Sequence, residues 1–184
     1  DLQNKLKKVQ NSRWKVGATP NFSNANSCVK TEYVRKLVGN DINFDGGYGE
    51  DSDFGLSLFK LGQIVLHNPF SPNLHLKPPM GGYRFWGKQA SVLGKKRKTQ
   101  PWELDVPVKN IRPVPSPTIM YGIVKHFSKQ QVLEYKYKYF FLYLFKGSKE
   151  GFIYRFLRIP YKNLQFKKSL FYAKKLNDLG IRHK

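Results

Sequence analysis

The chain has 184 residues, of which 33 are Lys or Arg and 12 are Asp or Glu, so its formal net charge is +21. This length suits about one domain with a core of its own. The single cysteine, Cys28, excludes an internal disulfide and favours a reducing compartment. The longest apolar run covers only 139–145, far short of the roughly 20 residues of a membrane-spanning helix, which argues against a transmembrane protein.

The positive charge is concentrated in the second half of the chain. Residues 1–94 carry 12 Lys/Arg against 7 Asp/Glu, whereas residues 95–184 carry 21 against 5. A field of this sign attracts polyanions such as nucleic acid, an anionic membrane leaflet or phosphorylated small molecules. Charge alone does not choose among them. Because the chain begins at Asp1, with no Met and no apolar signal segment, we expect it to be a processed product or a piece of something longer.

The first half predicts two short helices and one strand. The segment TEYVRKLV at 31–38 has helical spacing and is followed by Gly39, which can end the helix. A second helix is predicted for SDFGLSLFKL at 52–61, with Gly62 as its terminator. The next segment, QIVLH at 63–67, predicts a short buried strand.

The second half predicts a long loop region followed by helices. Residues 68–118 contain nine of the eleven prolines, and a loop of this length is usually functional or disordered. From about Ile123 the pattern becomes helical, with breaks at Gly147 and Pro160. The predicted helices lie at 127–146, 149–159 and 161–179. Their Lys-rich and aromatic composition fits either solvated faces over an aromatic core or a basic surface that rests on a membrane.

An acidic, glycine-rich loop, NDINFDGGYGEDSDFG at 40–55, is the most informative stretch of the chain. Its first residues fit a calcium loop of the EF-hand type, in which position 12 supplies a bidentate Glu. That position is occupied by Ser52, and the chain contains no second loop of this kind. We therefore reject the calcium interpretation. The residues that fit the early positions are Asp41, Asn43, Asp45 and Gly46.

Two other interpretations of the loop remain. Asp51-Ser52-Asp53 has the spacing of a metal-nucleotide DxD pair, but such a pair normally ends a buried strand and this one opens a predicted helix. In the last interpretation, the preceding glycines let the backbone approach a ligand. Glu50, Asp51 and Asp53 then lie at a helix N-terminus, where the dipole favours ionised carboxylates, as a general base requires. Simple helix capping explains the same spacing and stays open as the alternative.

The stretch NANSCVKTEYVRKLVGNDINFDGGYGEDSDFGLSLFKLGQIVLHNP resembles the second half of family 2 glycosyltransferases of the GT-A fold. The resemblance runs from about Asn24 to His75, and its most specific part is GYGEDSDFG. GGYRFWGK and PSPTIMYG, further along, are similar to segments of bacterial members. The matching residues are Asn26-Ser27, Phe44-Asp45, Gly49-Glu50-Asp51, Asp53-Phe54-Gly55, Leu58 and Gly62.

The resemblance implies an α/β fold and two segments. Residues 1–122 would be the C-terminal, acceptor-side half of a GT-A-like nucleotide-diphospho-sugar transferase domain. Residues 123–184 would form a helix-rich, basic and aromatic extension. The N-terminal half of the family's domain has no counterpart here, so the enzyme is expected to be incomplete as this chain alone.

The resemblance also implies an activity and a site. An inverting, hexosyltransferase-like enzyme would move a sugar from a nucleotide-activated donor to a saccharide or glycolipid acceptor, with Asp51 as the base and Glu50 as its support. A divalent cation, Mn²⁺ or Mg²⁺, would take its main DxD ligands from the missing half. His75 is the matching position for a further ligand, and His67, at the strand end, is the less favoured alternative. The expected substrate-binding residues are Gly47, Tyr48, Gly49, Arg84 and Trp86, the last because aromatic faces suit sugar rings.

The resemblance further implies a role in bacterial surface polysaccharide synthesis. Its partners would be a nucleotide-sugar and a saccharide or lipid-linked acceptor, with peripheral contact to the anionic inner face of the plasma membrane from the cytoplasm. The alternatives are a basic nucleic-acid-binding protein and a non-catalytic membrane-surface module. The first is disfavoured because the sequence has no RNP-type, zinc-finger or clear helix-turn-helix pattern.

Overall fold

The computed structural model describes residues 17–18, 22, 27–67, 100–103, 111–146 and 151–183, and every structural statement below concerns these ranges. The chain divides into two compact units. One comprises Asp1–Asn40 and Asp51–Lys98, and the other comprises Asp41–Glu50 and Thr99–Lys184.

The first unit contains two helices and a very short strand pair. Helix α1 is Thr31–Leu37, and helix α2 is Glu50–Lys60, whose first residue belongs to the second unit. Strand β1, Gly17–Ala18, pairs antiparallel with β2, Leu66–His67. The core of this unit consists of Phe22, Phe54 and Leu58, with the rings of Phe22 and Phe54 4.9 Å apart.

The second unit is built from helices and two 3₁₀ turns. The turns are Ile42–Phe44 and Pro101–Glu103, and the helices are α3 at Pro117–His126, α4 at Lys129–Phe145, α5 at Phe152–Leu157 and α6 at Ile159–Asp178. Helix α3 packs along α6. The core residues of the second unit are Phe44, Met120, Tyr121, Phe166, Ala173 and Leu176.

Most of the predicted helices are present, with small changes at their ends. Helix α1 ends where expected, because the Gly39 N–H bonds to the Val34 carbonyl at 3.1 Å. Helix α4 begins with a capping box in which the side chains of Ser128 and Gln131 each bond to the other's backbone N–H. Pro160 lies in the first turn of α6, where a missing N–H costs nothing.

The prediction of an α/β fold is wrong. The described residues are predominantly helical, and their only strands form one two-residue antiparallel pair. A parallel GT-A-like sheet needs several strands buried on both faces. The segment predicted as a buried strand instead leaves Ile64 and Leu66 70% and 64% exposed. The described part of the fold is therefore built mainly from helices, in which the apolar residues recur with the helical period.

The searched part of the chain contains no helix whose length and apolar character would let it cross a membrane. The division into a transferase half at 1–122 and a basic extension at 123–184 stays a prediction.

Candidate functional site

The glycine-rich loop is held against the start of helix α3. The backbone N–H of Tyr48 donates a hydrogen bond to Thr118 Oγ1 at 3.1 Å. Gly47 is buried, and a Cβ at this position would lie 2.5 Å from Thr118 Cγ2 and 2.6 Å from Oγ1. Only glycine therefore allows the loop to lie this close to α3.

Two further features fix the shape of this loop. Gly49 has a φ of +113°, a conformation that L side chains rarely adopt, and a Cβ there would meet the Phe44 ring at 3.1 Å. Thr118 itself is fully buried, and its hydroxyl lies 3.0 Å from that of Ser116. The loop therefore reaches the first residue of α2, Glu50, in one defined conformation.

The acidic residues that follow occupy the first turn of α2. Glu50 and Asp51 are half-buried, whereas Asp53 is buried. Partial burial leaves part of the Glu50 and Asp51 carboxylates accessible. The structure thus confirms the predicted helix start at these carboxylates, although it does not test their chemistry.

Asp41 is the centre of a buried polar network in the second unit. Its carboxylate, 4% exposed, accepts from the Tyr121 hydroxyl at 2.6 Å and from Lys125 Nζ at 3.0 Å through Oδ2. Its Oδ1 accepts from the backbone N–H groups of Asn43 at 3.0 Å and Arg182 at 3.3 Å. Burial by itself raises the pKa of Asp41, but the bonds from Tyr121, Asn43 and Lys125 and the charge of Lys125 together lower it below 3.8.

Asn43 extends this network to the C-terminal segment. Its side-chain amide donates to the Gly180 carbonyl at 2.8 Å and to the Tyr121 hydroxyl at 3.2 Å, and its oxygen accepts from Arg182 Nε at 2.8 Å. The side chains that fit calcium positions 1 and 3 are therefore satisfied by protein donors and acceptors. These bonds give Asp41 and Asn43 a structural role that the spacing did not reveal.

The remaining predicted site residues, His75, Arg84 and Trp86, lie outside the described residues. In the part of the chain that the structure describes, no three His, Cys, Asp or Glu side chains lie close enough together to hold a metal. The divalent cation thus stays a prediction.

Thr118, Tyr121 and Lys125 contribute most to positioning the loop and its flank, and none was singled out from the sequence. All three lie on helix α3, which follows a proline-rich stretch, and the prolines predicted a loop at its start. The signal that could have found them is the segment PSPTIMYG itself, because Pro117 suits the first turn of a helix.

Comparisons of the chain with family models, with curated proteins and with solved structures find no match. The resemblance to family 2 glycosyltransferases therefore rests on the motif residues alone.

Proposed function

We propose that this chain is the acceptor-side part of an inverting glycosyltransferase, in which Asp51 is the general base. The observation that carries the proposal is the start of helix α2, where Glu50 and Asp51 are half-buried directly after the glycine-rich segment 46–49 in the chain. The GYGEDSDFG motif supports the same activity.

The reaction follows from this placement. The acceptor hydroxyl attacks the anomeric carbon of the nucleotide-activated sugar, the bond from that carbon to the diphosphate oxygen breaks, and the diphosphate leaves with the bonding electrons. Asp51 takes the proton of the attacking hydroxyl, and Glu50 orients it. Attack opposite the leaving group inverts the anomeric centre. Tyr48, 49% exposed between the two glycines, would contact a sugar ring.

The other parts of the proposal concern substrates and place of action. Trp86 would stack on a sugar and Arg84 would meet the diphosphate. A Mn²⁺ or Mg²⁺ ion would supply electrostatic stabilisation of the leaving diphosphate. The enzyme would act in the cytoplasm at the inner face of the membrane, on an acceptor of a surface polysaccharide or glycolipid.

The test compares wild type with Asp51→Asn in the parent chain that contains the donor-binding half. Transfer and hydrolysis are measured with UDP-, GDP- and dTDP-sugars in the presence of Mn²⁺ or Mg²⁺. We expect the variant to lose about 100-fold or more in kcat, the effect of removing a general base. The matched control is Asp178→Asn, which removes an exposed carboxylate at the end of α6 and should leave kcat unchanged.

Equal rates for wild type and Asp51→Asn would return Asp51 to helix capping. Absence of turnover from every donor would overturn the proposal of sugar transfer.

A further inference from the structure

We infer that helices α4 and α5 form a docking surface for an anionic phospholipid bilayer. The first observation is that these two helices have no buried residue over 17 and 6 positions respectively. Helices that contribute to a core normally bury an apolar stripe. Helix α4 packs Tyr135, Tyr139 and Phe140, each partly buried, against the core, but both helices leave other large apolar side chains in solvent.

The exposed apolar residues of α4 share one face. Leu133, Tyr137, Phe141 and Phe145 follow one another at intervals of four, and Tyr137, Phe141 and Phe145 are each 60% exposed or more. Residues spaced by four lie above one another on a helix. The face is therefore a continuous stripe along the length of α4.

The stripe continues from α4 onto α5. The ring of Phe145 lies 4.7 Å from that of Phe141 and 5.6 Å from that of Phe152. Arg155 Nε donates to the Leu144 carbonyl at 2.9 Å, which fixes α5 against the end of α4. On α5, Ile153 and Leu157 are 71% and 72% exposed.

We call this surface the aromatic–cationic face. It consists of Leu133, Tyr137, Phe141 and Phe145 of α4 and of Phe152, Ile153 and Leu157 of α5. Monomers rarely expose so many large apolar side chains along one continuous stripe.

The charges around the face identify the partner. Among residues 129–146 and 151–164, seven are Lys or Arg and one, Glu134, is acidic. The Arg158 guanidinium lies over the rings of Tyr154 at 5.4 Å and Tyr161 at 5.5 Å, and Lys162 Nζ lies 5.4 Å from that of Tyr143. Cations among exposed aromatic rings match the headgroup region of an anionic leaflet, where rings sit between phosphates and acyl chains.

Other occupants fit this face less well. A second copy would bring two strongly cationic surfaces together, and like charges oppose association. A nucleic acid would use the cations and rings, but it would leave the aliphatic side chains of Leu133, Ile153 and Leu157 without a partner. A bilayer uses both sets, in the manner of an interfacial helix that lies on the membrane.

The test is co-sedimentation of the full chain with vesicles of phosphatidylcholine alone and of phosphatidylcholine with about 30% phosphatidylglycerol. We expect binding to the anionic vesicles that weakens as NaCl rises, because salt screens the headgroup charge. The double variant Ile153→Ser/Leu157→Ser should bind at least about tenfold more weakly. The matched control is Phe59→Ser/Ile64→Ser, which replaces equally exposed apolar residues, at 67% and 70%, in the other unit and should bind as wild type does.

A second pair of variants separates this face from net charge. Arg158→Gln/Lys162→Gln and Lys174→Gln/Lys175→Gln each remove two positive charges, and Lys174 and Lys175 lie outside the face. The first pair should weaken binding more. The inference would be overturned if both charge variants weakened binding equally, if both serine variants weakened it equally, or if the chain bound neither vesicle.

A different outcome would assign the face to a second copy of the chain. The chain would then form a dimer in analytical ultracentrifugation, Ile153→Ser/Leu157→Ser would abolish this dimer, and no vesicle binding would be seen. The assay needs no turnover, so its outcome is independent of the proposed sugar transfer.

Discussion

The carboxylate of Asp41 joins three segments of the second unit: the turn at 41–44, helix α3 through Tyr121 and Lys125, and the C-terminal stretch at 180–182. A buried carboxylate is stable only when its lone pairs are satisfied and its charge is balanced. Here both conditions are met by four donors, one of which, Lys125, is also the cation. The charge of this single residue is therefore coupled to the stability of the unit.

We predict that this coupling appears as a loss of stability in acid. The pKa of Asp41 is lowered below 3.8 in the folded protein, so its contribution is present above pH 3.8 and is lost as pH falls through the folded value. Asp41→Asn should lower the free energy of unfolding by about 3 kcal/mol at pH 7, as loss of one partner of a buried pair does. The difference from wild type should shrink below pH 3.8, as measured by urea unfolding at a series of pH values. Asp178→Asn, at an exposed position, serves as the control. A difference that is independent of pH would contradict the prediction.

A second prediction at this scale concerns Gly47. Gly47→Ala places a methyl group within 2.6 Å of the Thr118 side chain, so we expect a loss of about 1–3 kcal/mol in unfolding free energy through overpacking. Thr118→Ala removes both close atoms and leaves only Cβ at 3.0 Å. The double variant should therefore lose less unfolding free energy than the two single variants lose together, and a double-mutant cycle measures this difference. If the two losses of unfolding free energy simply add, then contact with Thr118 is not what restricts position 47 to glycine.

At the scale of single elements, the sequence predicted those helices whose ends carry strong local signals. Helices α1 and α2 are followed by Gly39 and Gly62, which adopt φ of +82° and +74°. The long helices of the second half likewise end and begin near the predicted breaks at Gly147 and Pro160. Such punctuation is local, and it therefore survives without knowledge of the tertiary contacts.

Helix α3 and the segment at 63–67 were predicted wrongly for opposite reasons. The prolines before α3 suggested a loop, although Pro117 occupies the first turn of the helix and α3 supplies the buried residues Met120 and Tyr121. The apolar run at 63–67 suggested a buried strand, although only its last two residues pair, with the two-residue strand β1, and Ile64 and Leu66 stay exposed. Strand burial depends on distant partners, which a local pattern does not encode.

The candidate site shows the same division between local and distant information. The glycines and the helix start at Glu50 could be predicted because they depend on neighbouring residues. The contacts of Gly47 and Tyr48 with Thr118, and of Asp41 with Tyr121, join positions separated by 70 residues or more, and nothing in the spacing of either segment announces them. The calcium-like order of Asp41 and Asn43 was a coincidence of turn chemistry, since Asp and Asn also favour such turns.

At the scale of the whole molecule, the net charge of +21 opposes compact folding, because like charges repel one another across the folded chain. The surplus is concentrated in residues 95–184, which include most of the second unit. Anions, whether dissolved or in a leaflet, relieve this repulsion. The same surplus that favours an anionic partner is therefore expected to make the isolated protein less stable at low ionic strength.

We predict that raising NaCl from about 0.02 M to about 0.3 M increases the free energy of unfolding by about 1 kcal/mol, because the Debye length falls below the spacing of most surface charges. Urea titrations at constant pH measure the effect. Lys174→Glu/Lys175→Glu lowers the net charge by four at exposed positions of α6 and should reduce the salt dependence. Phe59→Ser, which leaves the charge unchanged, is the control and should keep it. A stability that falls with added salt would mean that attractive pairs such as Lys125 and Asp41 outweigh the repulsion, and the charge surplus would then not be a cost that an anionic surface relieves.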